Sequence, residues 1–293
     1  MFLHLLARTL YPEYDADSMS RIVMGDEPGG KRVLPEHRSL NRLRVLSYNI
    51  QAGIDTRHYR DYLTQGWKHL LPHRERMRNL ERIAQLLGHY DLVGLQEVDA
   101  GSLRSGFIDQ TEYLARRAGF PFWFKQVNRN MGKLAQHSNG ILTRIRPLRV
   151  REHKLPGLPG RGALVVELPL DDGGLFGVCV LHLALGRRAR GRQLDYVADL
   201  VAAYPFLVLM GDFNCGCDSR ELRGLMARTG LRGPSCEIKT FPSWRPMRNL
   251  DHILASPGLT IGVAQALNYS LSDHLPVSME VALPRGKGIR AAW

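Results

Sequence analysis

Between residues 43 and 283, short apolar runs alternate with amphipathic segments. Leu43-Arg44-Val45-Leu46-Ser47-Tyr48-Asn49 has the pattern of a strand. Leu92–Leu95, Ile141–Leu142, Ala163–Leu168, Phe176–Leu183, Phe206–Met210 and Ile253–Ala255 are brief aliphatic runs that also read as strands. In a last strand, Leu275, Val277, Met279 and Val281 alternate with Pro276, Ser278 and Glu280, which predicts one buried and one polar face. Met77, Leu80, Ala84 and Leu87 recur at helical spacing, and Gly88 supplies a stop. Asp109 and Glu112 form a capping-box pattern opening a helix through Tyr113 and Leu114, closed by Gly119. Leu194, Val197, Ala198 and Val201 mark a third helix. Ser219 can cap a fourth, with Leu222, Leu225 and Met226 on its apolar face. The mixture predicts α/β layers, with sheet packed on sheet and helices outside.

The margins lack this order. Residues 1–40, broken by Asp15, Asp17, Asp26, Pro28, Gly29, Gly30 and Pro35, read as an irregular extension. Residues 41–284 form one domain, and residues 285–293 read as a short basic tail. Neither a repeat nor a linker divides the middle.

Composition narrows the function classes. With 293 residues, 44% hydrophobic, the chain can bury a full core. The 40 Lys and Arg against 28 Asp and Glu leave a net charge of +12, which suits a polyanionic partner, nucleic acid or an anionic membrane surface. Many basic proteins bind no polyanion, so charge alone does not decide. Cys179 sits in an apolar run, and Cys215-Gly216-Cys217 lacks the spacing of a zinc or redox pair. The four cysteines therefore do not read as a disulfide framework, which fits a reducing compartment. No run approaches the roughly 18 apolar residues of a membrane span, and Met1–Leu6 is too short for a signal peptide. The expected location is cytoplasmic, with peripheral attachment through the first ten residues left open.

The chemistry shows where polar residues interrupt the ends of apolar strands. Asn49 ends one strand and Gln96-Glu97 the next. His182 follows Val178-Cys179-Val180-Leu181, and Asp212 and Asn214 follow Leu207-Val208-Leu209-Met210-Gly211. Asp251-His252 and Asp273-His274 each open a strand. A carboxylate at the tip of a core strand is costly without a partner. Each residue admits a plain reading: Asp212 as a turn cap, His182 as a satisfied core histidine, Asp251 as a partner of Arg248. Six such interruptions, all Asn, Glu, Asp or His, are hard to explain as independent turns. Oxygen ligands with few cysteines point to a hard cation, Mg²⁺ or Mn²⁺, and such a site suits phosphoryl chemistry.

The ordered set of motifs resembles the endonuclease/exonuclease/phosphatase (DNase I-like) superfamily. The set comprises Ser47-Tyr48-Asn49, Leu95-Gln96-Glu97, Ser138-Asn139-Gly140-Ile141-Leu142-Thr143-Arg144 and Leu181-His182-Leu183. Gly211-Asp212-Phe213-Asn214, Leu250-Asp251-His252-Ile253 and Ser272-Asp273-His274-Leu275-Pro276 complete it. The resemblance covers about residues 43–283 and implies a four-layered sandwich, two packed mixed β-sheets flanked by α-helices. It implies that Glu97 is the main metal ligand, helped by Asn49, with Asp273 a further one. It makes His274 the general base or a phosphate contact, oriented by Asp251. Asp212 and Asn214 would position the nucleophile and bind phosphoryl oxygens, and His182 would stabilise the transition state. Whether Asp212 or His274 is the base stays open. Asn139 joins the substrate-binding set. Abasic-site endonucleases carry Asn where this chain has His182, so that branch is disfavoured. Gln51 stands where several members have an acidic residue, so one dominant metal is expected. Arg104, Asn128-Arg129-Asn130, Gly186–Arg192 and Phe241-Pro242-Ser243-Trp244-Arg245-Pro246 resemble a bacterial branch.

For substrate, the first expectation is a phosphodiester in nucleic acid. Arg187, Arg188, Arg190 and Arg192 follow His182 and could meet backbone phosphates, and Trp244 could stack a base. Those arginines can equally be the solvated start of a helix, and Trp244 a loop anchor between prolines. The alternative is a phosphatase or a phospholipid or phosphoinositide phosphodiesterase drawn to anionic surfaces. A non-catalytic binding module would have lost site residues that this chain retains.

Overall fold

A computed structural model describes residues 38–53, 74–130, 136–157, 159–234 and 236–291. Of the extension read over residues 1–40, residues 1–37, with Met1–Leu6, lie outside the described residues, and Arg38–Leu40 form a strand rather than irregular chain. In chain order the strands are β1 (Arg38–Leu40), β2 (Arg42–Asn49), β3 (Leu92–Asp99), β4 (Phe122–Asn130), β5 (Gln136–Thr143), β6 (Arg149–Lys154) and β7 (Gly162–Pro169). There follow β8 (Leu175–His182), β9 (Phe206–Asp212), β10 (Asp251–Ala255), β11 (Thr260–Ala266), β12 (Val277–Ala282) and β13 (Ile289–Ala291). The helices are α1 (Arg74–Leu87), α2 (Gln110–Ala118), α3 (Arg187–Val201) and α4 (Arg220–Thr229).

The strands make a six-stranded sheet ordered β11-β12-β2-β3-β5-β4 and a five-stranded sheet ordered β10-β9-β8-β7-β6. Both are mixed: β2–β3 and β8–β9 are parallel pairs in otherwise antiparallel sheets. Three apolar clusters divide the side chains into layers. Val45, Leu92, Ile141, Val166, Val180, Met210 and Met279 fill the seam between the sheets. Leu80, Ile83 and Leu87 of α1 and Leu114 of α2 pack on Leu46, Tyr48, Val93 and Leu95 of the six-stranded sheet. Leu194 and Val197 of α3 and Leu222 of α4 pack on Val165, Cys179, Leu207 and Leu209 of the five-stranded sheet. The chain is therefore the expected four-layered α/β sandwich. Because central strands bury both faces, they read as continuous apolar runs rather than alternating ones.

The helix ends follow from local chemistry. The Asp109 carboxylate accepts from the N–H groups of Thr111 and Glu112, Gly119 closes α2 in the left-handed region, and Ser219 caps α4 through the Leu222 N–H. The sheets pack tightly at Gly94, where a Cβ would lie 2.7 Å from Val180 Cγ2 and 3.0 Å from Met210 Sδ.

Three expectations need correction. The residues after Leu283 do not trail: β13 pairs antiparallel with β1, and Ile289 is fully buried in the seam core. Ser278 is buried rather than forming a polar face, because Tyr90, in the turn after α1, reaches that side of β12 and hydrogen-bonds Ser278; only Glu280 is exposed. Cys217 and Cys236 form a disulfide across 19 residues, while Cys179 and Cys215 are buried free thiols. That bond removes the argument for a reducing compartment. Among the described residues, no helix is long and apolar enough to cross a membrane.

Candidate active site

Side chains alternate across a strand, so the parity of a core strand carries on to its last residue. Val208 and Met210 of β9 face the seam, and Asp212 shares their parity. His182 follows Val178 and Val180 of β8, Asn49 follows Val45 of β2, and Asp251 precedes Ile253 of β10 in the same way. The strand register then aligns them: His182 stands opposite Asp212 and Asp212 opposite Asp251. The polar interruptions thus continue the apolar seam and close one end of it with hydrogen-bonding groups.

Two irregularities complete this end. Glu97 lies where the β3–β5 register shifts, at φ +56°, and that bulge turns its carboxylate out of the strand's ordinary alternation. Gly211 sits at φ +148°, where a Cβ would lie 1.9 Å from the Leu181 carbonyl oxygen, so only glycine brings the chain into Asp212 this closely. Beyond Asp212 the chain turns through Asn214 at φ +54°, with the Asn214 N–H donating to Asp212 Oδ1 at 2.9 Å.

Asp212 Oδ2 is the hub. It accepts from Asn49 Nδ2 at 3.1 Å and lies 3.4 Å from His182 Nε2 and 3.9 Å from His274 Nε2. His274 Nδ1 lies 2.7 Å from Asp251 Oδ2, which also accepts the Thr240 hydroxyl at 2.5 Å. Asp251 Oδ1 is buried with no hydrogen-bond partner. On the other flank Asn49 Nδ2 is 3.4 Å from Glu97 Oε1. Ser272 joins the flanks: its hydroxyl donates to the Asn49 carbonyl at 2.7 Å and lies 3.1 Å from Asp273 Oδ1.

Burial and neighbouring charges set the protonation states. Burial raises the Asp212 carboxyl to about 7; Asp251 and Glu97 add to the rise, and His274 opposes it. Burial also raises Glu97, and the nearby Asp273 carboxylate adds to that. Burial alone would lower His274, but the fields of Asp251 and Asp212 outweigh it and hold this imidazole well above its usual range. His182 is held well below that range by burial, then by Arg161, His274 and His137. Two histidines beside one carboxylate therefore take opposite states, His182 neutral and His274 cationic.

Residues 46–274 match the sequence profile of the Endonuclease/Exonuclease/phosphatase family. The chain belongs to that family. No curated protein matches the sequence. Among solved structures, the chain is similar to an endonuclease/exonuclease/phosphatase from Beutenbergia cavernae DSM 12333, at 20% identity and TM-score 0.65, covering 83% of this chain and 72% of that one. It is similar to the human Nocturnin catalytic domain with bound sulfate anion, at 18% identity and TM-score 0.61, covering 84% and 96%. It is also similar to a mannosyl-6-phosphatase from Bacteroides thetaiotaomicron VPI-5482, at 17% identity and TM-score 0.62, covering 82% and 100%. At these identities the likeness is one of fold.

Within this endonuclease/exonuclease/phosphatase fold, Asn49, Glu97, His182, Asp212, Asp251 and His274 meet at one end of the seam, and Asp273 adjoins them. Asn214 sits beside them with its amide turned to the Leu183 carbonyl at 2.9 Å. Asn139 is fully buried; its Nδ2 donates to the Gly162 carbonyl at 3.0 Å, and its Oδ1 has no hydrogen-bond partner. Arg187 and Arg188 are exposed on the first turn of α3. Arg190 is not available to a phosphate: it is buried against Glu221 at 2.8 Å. Trp244 is half-buried in a loop closed by the Phe241–Arg248 bridge and pinned by the Ser243 N–H to the Asp273 carbonyl at 2.8 Å. Asp251 pairs with His274 and Thr240 rather than with the exposed Arg248.

Sequence reasoning passed over Thr240 and Arg161. Thr240 supports Asp251, and its signal was faint: a lone threonine before an aromatic residue. Arg161 lies before β7, where its charge acts on Glu97, Asp212 and His182. It interrupts no apolar run, so no pattern marked it.

Among the described residues, two groups could hold a cation. Ligand atoms of Asp212, Asp251 and His274 lie within 4.8 Å of one another. Two of these three groups are already hydrogen-bonded together, which suits proton handling better than coordination. Glu97, Asp273 and Asn49 offer a second oxygen-rich set in which two carboxylates repel.

Proposed function

We propose that the chain is a divalent-metal-dependent phosphodiesterase that hydrolyses phosphodiester bonds in nucleic acid by in-line attack of an activated water. The observation that carries this reading is Asp212 Oδ2, shared at one buried point by Asn49 from one sheet and His182 from the other, with His274 Nε2 3.9 Å away.

The residues fit a hard cation. Glu97 and Asp273 are close enough to oppose each other's charge, and burial adds to that cost, so a cation between them would relieve both. Glu97, Asp273 and the Asn49 amide oxygen would hold Mg²⁺ or Mn²⁺. When bound, such an ion neutralises charge developing on the phosphate oxygens.

The chain's own groups divide the remaining work. Asp212, raised to about 7, is suited to take the proton of the attacking water. Asn214 and Asn49 hold its two oxygens in place. His274, kept cationic by Asp251, presents Nε2 to the phosphoryl group. His182, kept neutral, donates a hydrogen bond to a phosphoryl oxygen without adding charge that would bind the ground state tightly. The net charge of +12 and the exposed Arg129, Arg187 and Arg188 support a polyanionic strand as substrate.

Purified protein is expected to hydrolyse bis-p-nitrophenyl phosphate with Mg²⁺ or Mn²⁺ and to stop when EDTA is added. Failure with every divalent metal would remove the reading. A panel of single-stranded DNA, phosphoinositide and phospholipid then decides the substrate, with Asp212→Ala as control against contaminating nucleases.

A further inference from the structure

Arg129, in the Asn128-Arg129-Asn130 segment, ends up beside the site. It lies near the end of β4, in register with His137 of β5, whose charge reaches His182. The loop from β6 into β7 brings Gly160 under the Arg129 side chain, with a Cβ position 3.5 Å from Arg129 Cβ and Cδ. Gly160 at φ +107° leads directly into the half-buried Arg161. Two guanidinium side chains are thus placed next to each other at the rim. The inner one acts on Glu97 and Asp212, and the outer one is exposed.

Among the described residues, no carboxylate or carbonyl oxygen hydrogen-bonds or ion-pairs with either guanidinium. Elsewhere in this chain arginines at comparable depth are paired, as Arg190 is with Glu221 and Arg144 with the Tyr90, Gly88 and Gly119 carbonyls. A guanidinium cannot shed its proton to escape desolvation or a like-charged neighbour. The fields of Glu97 and Asp212 offset part of this cost for Arg161; an anion held between the two guanidinium groups offsets the rest, and their planar forks match phosphate oxygens.

We propose that Arg161 and Arg129 form a second phosphate subsite, which takes the phosphate adjoining the scissile one along a nucleic-acid strand. This rests on the phosphodiesterase reading. It adds that the favoured substrate carries consecutive phosphodiesters, with the inner phosphate on Arg161 and the strand continuing outward over Arg129.

The test compares oligothymidylates holding one, two or three phosphodiesters with bis-p-nitrophenyl phosphate, in Mg²⁺ or Mn²⁺. In the wild-type protein kcat/KM is expected to step up about tenfold from one phosphodiester to two, the worth of a charge-assisted contact. Arg161→Ala and Arg129→Ala each flatten that ratio to within about threefold, and Arg161→Lys retains part of it. Arg42→Ala, at the far end of β2, keeps the full step and separates a local site from overall charge. Arg129 is exposed, so its variant carries the test should Arg161→Ala not fold. A wild-type protein without the step, or a step that survives in both alanine variants, overturns the subsite while leaving the phosphodiesterase intact. Failure to hydrolyse any of these esters overturns the phosphodiesterase reading itself, and the subsite with it.

Discussion

The seam between the two sheets has two ends, built from the same alternating strands and closed in opposite ways. At one end β1 and β13 lie across it, and Ile289, Leu170 and Leu283 plug it with aliphatic carbon. Backbone hydrogen bonds, Leu283 N–H to the Asn41 carbonyl and Asp171 N–H to the Gly288 carbonyl, both 2.9 Å, complete the closure. At the other end Asn49, Asp212, Asp251 and His274 are as deeply buried, between 1% and 5% exposed. There, carboxylates crowd together, Asp251 Oδ1 has no hydrogen-bond partner among the described residues, and Arg161 and Arg129 stand side by side. Burial at the first end adds to stability. At the second it is spent against desolvation and repulsion, which a ligand relieves.

The sharpest way to break this contrast is to remove groups from the polar end. Glu97→Ala and His274→Ala are each expected to lower kcat/KM on bis-p-nitrophenyl phosphate by about a thousandfold or more. Glu97→Ala should melt near wild type, because it loses a cost along with its contacts; His274→Ala should melt lower while still folding, because it leaves the buried Asp251 carboxylate without its charge partner. A variant that unfolds while its activity per folded molecule persists would reverse the assignment of the two ends.

Ile289→Ala should do the opposite. Truncating this fully buried side chain is expected to cost about 2–5 kcal/mol in urea unfolding, with little change in turnover at temperatures where the variant is folded. A smaller effect belongs to Thr240→Val, which keeps the side chain's shape and removes its hydrogen bond to Asp251. A loss of about tenfold in kcat, the worth of one hydrogen bond to a charged group, with a shifted pH profile would mark Thr240 as holding the Asp251–His274 pair in place. Unchanged kinetics would leave it a loop anchor.

The mildest effect is on pH and stability. His252 is buried, its Nε2 lies 2.8 Å from the Cys215 carbonyl, and burial lowers its pKa from the usual 6.5. The unfolded chain therefore takes up a proton as pH falls through about 6.5, while the folded chain resists it. Stability is full above that value and declines below it, until the folded imidazole is also protonated. His274, shifted upward, acts in the other sense and is favoured at low pH. Urea titrations from pH 8 to 5 should show a shallower acid loss in His252→Gln than in wild type. Equal slopes would mean that other groups set the acid response.

The polar end could be read from the sequence in large part, and the apolar end could not, for one physical reason. A core strand of an α/β sandwich is apolar on both faces, so a polar residue at its tip stands out, as Asn49, His182 and Asp212 do. The same rule hid the edge strands. β4 carries Lys125, Gln126 and Arg129, and β6 carries Arg149, Arg151 and Glu152; with little apolar contrast neither registered as a strand. β13 was hidden by its glycine- and lysine-rich approach, although Ile289 is fully buried. Arg161 and Thr240 act from loops, where polar residues are ordinary and carry no signal until the fold places them. The Cys217–Cys236 bond spans 19 residues, and spacing alone cannot disclose such a contact.

The shared parity of Asn49, His182, Asp212 and Asp251 has an arithmetic consequence for how this protein can vary in length. One residue inserted into β9 ahead of Met210 would turn Asp212 onto the face under α3 and α4, and Met210 with it. Two inserted residues would restore the facing but carry the carboxylate past His182 and Asp251 on the neighbouring strands. Workable indels are thereby confined to the connections, such as residues 155–161 and 241–248. Those segments hold Arg161 and Trp244 at the margin of the polar end, so length changes there leave the facing of Asn49, His182, Asp212 and Asp251 untouched.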